Sequence, residues 1–168
     1  EVGNYDEGGN WANTGKVNPS LLHLMLKEEY FNKPSPKSTG PDFFNLEWVK
    51  NTIDKNGEEI KPEDLQSTLL ELTVMSLTKE LKSLGVISDG LYFCGGGIHN
   101  RSLMKRIEKE LGFRILTTAD IGVDPDYLEA TSFAWFAAER IKGRKFDLSK
   151  VTGSNREVFL GVITEPAI

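Results

Sequence analysis

The segment Leu91–Tyr92–Phe93–Cys94–Gly95–Gly96–Gly97–Ile98–His99–Asn100 constrains the fold more than any other part of the chain. A short apolar run ends in three glycines, and Asn100 then caps a helical pattern carried by Leu103, Met104, Ile107 and Leu111. Gly112 stops that pattern, and Phe113–Arg114–Ile115–Leu116 reads as a second strand. Strand, helix and strand in so short a stretch almost oblige the two strands to be parallel, joined by a right-handed crossover. The fold class is therefore α/β. The glycines also bear on function, because a turn without Cβ atoms lets a flat base or a phosphate approach its backbone closely. The helix behind the turn offers unpaired N–H groups and a partial positive charge. Gly95, Gly96, Gly97 and Asn100 are accordingly candidate nucleotide-binding residues.

The rest of the chain is mainly helical in pattern. Asn18–Pro19 is a cap followed by proline at the first helical position, and Leu21, Leu22, Met25 and Leu26 continue a helix to about Tyr30. Pro34, Pro36, Gly40 and Pro41 exclude regular structure over residues 32–41. Phe43, Phe44, Leu46, Trp48, Val49 and Ile53 predict a second helix ending near Gly57. Pro62–Glu63–Asp64 opens the longest helix, whose apolar face runs through Leu65, Leu69, Leu72, Met75 or Val74, and Leu81 to Gly85. Residues 86–90 should turn the chain into the first strand. After the second strand, a helix is expected from about Asp126 to Lys142, burying Tyr127, Ala130, Phe133, Ala134, Ala137 and Ile141. Val158–Ile163 reads as a final short strand.

Composition narrows the function classes. With 168 residues, 39% hydrophobic and 27% charged, the chain has material for one good core or for one lobe of something larger. A net charge of −5 without any cluster of Lys and Arg argues against a nucleic-acid partner. No apolar run is long enough for a membrane span, and no secretory signal opens the chain. One cysteine, Cys94, excludes an internal disulfide, fits a reducing compartment and is expected to be a buried strand-end residue. The chain opens with Glu1 on a Gly- and Asn-rich stretch, which reads as the middle of a loop in a longer protein.

Several motifs have more than one meaning. Gly95-x-Gly97-x-x-Asn100 falls one residue short of the dinucleotide fingerprint, and Asp120 stands about 20 residues on, where that fold places its ribose-binding acid. A P-loop is excluded, since no Lys–Ser/Thr pair closes the glycine run. Lys37, Ser38 and Thr39, within Pro36–Gly40, join a cation and two hydroxyls in one loop. They would hold a phosphate or position a closure, or simply form a capped turn. Glu129, early in an alanine-rich helix, would bind a polyol hydroxyl or serve as a favourable charge near a helix N-terminus. His23 and His99 lack partner ligands at metal spacing, so no metal site is expected. Tyr5–Asp6 and Trp11 could pack beside a ligand or merely within a loop.

Taken in order, the landmarks resemble one family. They are Tyr5–Asp6, Gly15–Lys16–Val17, Pro36–Lys37–Ser38–Thr39–Gly40 with Phe44, Asp64, Gln66–Ser67–Thr68–Leu69 and Leu72–Thr73. Cys94–Gly95–Gly96–Gly97 with Asn100 and Leu103–Met104, Glu129–Ala130 with Phe133–Ala134–Trp135, Val151–Thr152–Gly153 and Leu160–Gly161 complete the set. Over nearly its whole length the chain resembles the C-terminal lobe of the anhydro-N-acetylmuramic acid kinases, within the actin/hexokinase/Hsp70-like superfamily. The resemblance implies an actin-like (ribonuclease H-like) ATPase lobe over residues 1–168, with a mixed sheet, flanking helices and extra helices from the first half.

It also implies an ATP- and Mg2+-dependent cytoplasmic kinase that opens and phosphorylates 1,6-anhydro-N-acetylmuramic acid in peptidoglycan recycling, giving N-acetylmuramic acid 6-phosphate. Gly95, Gly96, Gly97 and Asn100 would then meet the adenosine side of ATP, and Glu129 the sugar side of the cleft. The contact made by Lys37, Ser38 and Thr39 is not assigned by the resemblance. The catalytic base and the Asp-Thr-Gly-Pro-Gly-Asn phosphate loop are expected in or at the edge of an N-terminal lobe, so no catalytic residue is nominated in this chain. Expected partners are the anhydrosugar and that lobe, with a homodimer left open. Two other readings stay open at this point: a dinucleotide-binding oxidoreductase fragment using Asp120, and a non-catalytic interaction or dimerisation lobe.

Overall fold

A proline at the first helical position and an asparagine just before it decide where the first helix starts. In the computed structural model, which describes residues 5–34, 36–85 and 90–164, Asn18 Oδ1 accepts from Leu21 N at 2.9 Å and opens α1, Pro19–Leu26. The helix ends at Leu26, and Glu29–Asn32 continues only as a 3-10 turn. Asn45 caps α2, Leu46–Asn56, by accepting from Trp48 N at 2.9 Å, and Gly57 ends it in the left-handed region at φ 70°. Pro62 opens α3, Pro62–Ser83, whose 22 residues make it the longest helix described.

α3 is the spine of the molecule. Its Leu72 joins Leu21, Leu22 and Met25 of α1 in one buried cluster, surrounded by Val17, Phe31, Trp48, Ile53, Leu65 and Leu69. Val74, two residues on, joins Ile107 and Ile115 in a second cluster, with Phe93, Leu103, Met104 and Leu111 around it. Val74 rather than Met75 is the buried residue at this step of the helix, Met75 being exposed. Each fully buried Leu, Ile or Met contributes roughly 1.5–3 kcal/mol over an exposed one, so α3 ties the two halves together mainly through apolar burial. Polar joints refine the fit: Arg106 reaches from the fourth helix to Glu71 Oε2 at 2.9 Å and to Ser67 Oγ at 3.2 Å.

The second half holds the α/β unit. β1, Tyr92–Phe93, pairs in parallel with β2, Leu116–Thr117, in the register Tyr92 to Leu116 and Phe93 to Thr117. Between them runs α4, Arg101–Leu111, closed by Gly112 at φ 78°. The parallel pairing expected from strand, helix and strand is present, but β2 starts later than residues 113–116 suggest. Ile115 N donates to Glu108 Oε1 at 2.9 Å and its side chain enters the α3–α4 core, so pairing begins only at Leu116. The remaining helices are α5, Leu128–Ile141, and the short α6, Ser149–Thr152.

Four expectations need correction or fall outside this structure. The final strand over 158–163 reduces to one antiparallel bridge between Phe146 and Val158, because Arg140 Nε instead takes the Gly161 carbonyl at 3.1 Å. The sheet described is therefore a two-stranded parallel pair rather than a mixed sheet, and the antiparallel bridge is isolated from it. Tyr127, Ala130, Phe133, Ala134, Ala137 and Ile141 are exposed on α5 instead of buried, since no described element packs over that face. Cys94, just after β1, is also exposed rather than buried. Apart from Gly90, the turn expected over residues 86–90 lies outside the described residues.

Candidate functional site

Of the three glycines after β1, one is demanded by the backbone and two are not. Gly95 adopts φ 78° and ψ 173°, a region that side chains oppose, and its N–H donates to the Pro125 carbonyl at 2.9 Å. Gly96 and Gly97 open a 3-10 turn, Gly96–His99, and neither has a positive φ. A Cβ added to Gly96 would meet nothing within 4 Å, and one added to Gly97 would touch only Leu103 Cδ2 at 3.8 Å. Among the described residues there is therefore no steric reason for their lack of side chains. What that lack provides is a bare peptide face toward open space.

That space is a cavity of about 800 Å³. One wall is the turn itself, Gly96–Arg101 with Leu103, and the other is Tyr5–Gly8 with Asn10; Gln66 of α3 also lines it. Its size falls in the range that takes a small ligand or cofactor. Asn100 Oδ1 accepts from Leu103 N at 3.0 Å, so the candidate residue is also the α4 cap, leaving its amide nitrogen as the group to offer. His99 Nε2 lies 2.8 Å from Asp126 Oδ1, a second tie between the glycine turn and the loop before α5 after that of Gly95 to Pro125.

The other candidates lie apart from this cavity. Lys37 Nζ is 2.6 Å from Glu80 Oε1 and 5.2 Å from the centre of the Tyr30 ring, and its side chain is 11% exposed. The ammonium thus binds the Pro36–Gly40 loop to α3. Ser38 and Thr39 are exposed and line a separate, smaller cavity with Glu29, Tyr30, Lys33 and Asp42. Glu129 is exposed in the first turn of α5 and does not line the glycine-turn cavity. Asp120 accepts from Thr117 N at 2.7 Å and Thr117 Oγ1 at 3.1 Å, and the backbone bond holds its carboxyl below the usual range. It caps the start of the 3-10 turn Thr118–Ile121 after β2, a local duty sufficient to explain its position.

Sequence reasoning left out Glu7, Gly8, Asn10 and Gln66 as cavity-lining residues. They are separated from the glycine turn by tens of residues; the packing of the N-terminal segment on α4 brings Glu7, Gly8 and Asn10 to it, and the packing of α3 on α4 brings Gln66. Several landmark residues prove to be structural joints. Lys16 N donates to Asp64 Oδ1 at 2.6 Å, Asn18 N donates to Thr68 Oγ1 at 2.9 Å, and a Cβ on Gly15 would overlap the Glu63 carbonyl.

Among the described residues no helix is long and apolar enough to cross a membrane, and no three His, Cys, Asp or Glu side chains gather as a metal-binding group.

The chain is 41% identical over 162 residues to the anhydro-N-acetylmuramic acid kinase of Coxiella burnetii (strain Dugway 5J108-111), covering 95% of the chain and 42% of that protein. It is 40% identical over 163 residues to the enzyme of that name from Saccharophagus degradans, covering 96% and 44%. With the one from Sulfurimonas denitrificans it shares 42% over 168 residues, covering 96% and 45%. The chain thus spans less than half the length of these curated relatives. The family model described as anhydro-N-acetylmuramic acid kinase matches residues 1–166, which takes in both walls of the cavity. A match of that extent, together with these relatives, places the chain in the anhydro-N-acetylmuramic acid kinase family.

Proposed function

We propose that this chain supplies the nucleotide-facing part of an ATP-dependent kinase acting on 1,6-anhydro-N-acetylmuramic acid, in a cytoplasmic step of peptidoglycan recycling. The observation that carries the reading is the bare Gly96–Gly97 peptide face on a cavity of about 800 Å³. Membership in a kinase family makes ATP the nucleotide to expect there. The residues fit the nucleoside end of ATP: flat peptide from Gly96 and Gly97, an amide from Asn100, and the phenol of Tyr5 at the rim.

In the overall reaction, water bonds to the anomeric carbon, the bond from that carbon to the bridging oxygen breaks, and the freed oxygen takes the γ-phosphoryl group of ATP. The products are N-acetylmuramic acid 6-phosphate and ADP. This chain's share is binding and orientation, which dominate phosphoryl transfer. Glu129 would face the sugar, and the Pro36–Gly40 loop, with Lys37 already held by Glu80, would move as a unit with α3 rather than grip phosphate through Lys37. Mg2+ would enter with the triphosphate and neutralise its charge during transfer. The base, the phosphate loop and an N-terminal lobe would lie in the length this chain does not span, and residues 1–168 would form the C-terminal lobe, actin-like in fold. That remaining length would also cover the exposed apolar face of α5.

Calorimetry on the full-length protein tests the reading. Heat on adding ATP with Mg2+, none on adding NAD, and turnover of the anhydrosugar only by the full-length protein are expected. NAD binding that is weakened by Asp120→Ala would overturn it.

A further inference from the structure

A serine inside the first turn of a helix ordinarily faces solvent or bonds back to its own helix. Ser102 does neither. It is 5% exposed, and its Oγ lies 3.3 Å from the Gly8 carbonyl and 3.2 Å from the Gly9 carbonyl, more than 90 residues away in sequence. The same oxygen accepts from Asn13 Nδ2. One hydroxyl thus uses both its donor and its acceptor capacity on the N-terminal segment.

Shape reinforces the bond. Gly9 is buried at φ 75°, and a Cβ there would overlap Asn100 Oδ1 and lie 2.6 Å from Ser102 Cβ. The segment therefore sits flush on the first turn of α4 only because residue 9 has no side chain. Each wall is closed on itself as well. Asp6 accepts from Trp11 N at 2.8 Å and Ala12 N at 3.0 Å, while Asn100 caps Leu103. Ser102 lies behind the cavity rather than on it, yet it links the Tyr5–Asn10 wall to the glycine-turn wall.

Resting on the nucleotide reading above, we propose that the Tyr5–Asn10 segment is the second wall of the nucleotide cleft and that Ser102 is the positioning residue that latches it. The ligand class is a nucleotide, with its nucleoside part between Tyr5 and the Gly96–Gly97 peptide. Asp6 and Glu7 on this wall disfavour phosphate there and suit the ribose hydroxyls, so the phosphates point away from them.

The test uses Ser102→Ala and Gly9→Ala in the full-length protein, with ATP affinity by calorimetry and amide exchange of residues 5–14. ATP should slow exchange in residues 5–14 and 95–101 of the wild type together. Ser102→Ala should weaken ATP binding on the order of tenfold and speed exchange at Trp11 and Ala12, while leaving anhydrosugar affinity within about twofold. Gly9→Ala should do the same more strongly, and Ser102→Thr, which keeps a hydroxyl, should restore ATP affinity relative to Ser102→Ala. Unchanged ATP affinity in Ser102→Ala, or an equal loss of sugar affinity, overturns the latch. Should the variants fail to fold, the wild-type exchange decides: protection of 95–101 without 5–14 overturns the second wall alone. Protection of neither segment by ATP overturns the nucleotide reading itself.

Discussion

Two helices of similar apolar content, α1 and α5, meet opposite fates. α1 buries Leu21, Leu22 and Met25 against α3, so its apolar face is fully used within the chain. α5 leaves Phe133 62%, Tyr127 67% and Ile141 77% exposed, though its sequence predicts a buried face through those same positions. The difference does not lie in periodicity. It lies in partners: α3 runs alongside α1, whereas no described element lies over that face of α5. Among the described residues the sheet is only the β1–β2 pair, and two short strands alone are marginal. Exposed apolar surface of this kind marks an interaction site, and in the function proposed above the length of the relatives that this chain does not span would cover it.

The largest effects should separate these two helices. Met25→Ala empties a fully buried position and should cost about 2–5 kcal/mol by urea unfolding in any context. Phe133→Ala should change the stability of this chain alone by no more than about 0.5 kcal/mol, yet cost about 3 kcal/mol or more in the full-length protein. Equal, small losses in both would show that α5 is never covered.

A smaller loss is expected at the α1 cap. Asn18→Ala removes the acceptor for Leu21 N and the side-chain donor to Glu58, and should cost about 1 kcal/mol in the same unfolding assay. No loss there would mean that Pro19 and the α1–α3 packing alone set where the helix begins.

The smallest effect belongs to the far end of α5. Glu139 accepts from Lys142 at 2.8 Å and Arg144 at 2.9 Å, and the Lys142 bond is the main reason its carboxyl lies below the usual glutamate range. A lowered folded-state pKa stabilises the fold above the unfolded-state value and ceases to do so as pH falls through the folded-state value. Thermal melts should therefore show Glu139→Gln below wild type at neutral pH, with the gap closing in strong acid. A gap that widens in acid would contradict the pairing.

How much of this was legible in the sequence depends on whether the signal was local. Asn18–Pro19, Gly57 and Pro62 mark helix ends through chemistry local to one turn, and the structure places those ends there; the second helix, whose pattern reads from Phe43, begins only at Leu46 because Asn45 caps it. The parallel β1–β2 pairing follows from chain order alone. Strand limits were not legible, because Ile115 is claimed by Glu108 and the α3–α4 core, contacts that a local pattern does not carry. The burial of α5 and of Cys94 was misjudged for the same reason, since burial needs a partner as well as a pattern.

The candidate site divides likewise. Gly95–Gly97 and Asn100 stand out as a motif, and the cavity lies beside them. Glu7 and Gly8 carry no motif, Gln66 stands in a landmark segment that gives no sign of a cavity role, and Ser102 looks like any small residue in a helix. Their roles arise only when the N-terminal segment and α3 pack on α4.

The central claim is that the bare Gly96–Gly97 face receives the nucleotide, and Gly96→Val in the full-length protein tests it most directly. Its Cβ would meet open space within the chain, so the melting temperature should stay within about 2 °C of wild type. ATP affinity by calorimetry should fall at least about tenfold, because the added methyls occupy the ligand's place. Wild-type ATP affinity in a folded Gly96→Val protein would contradict the account.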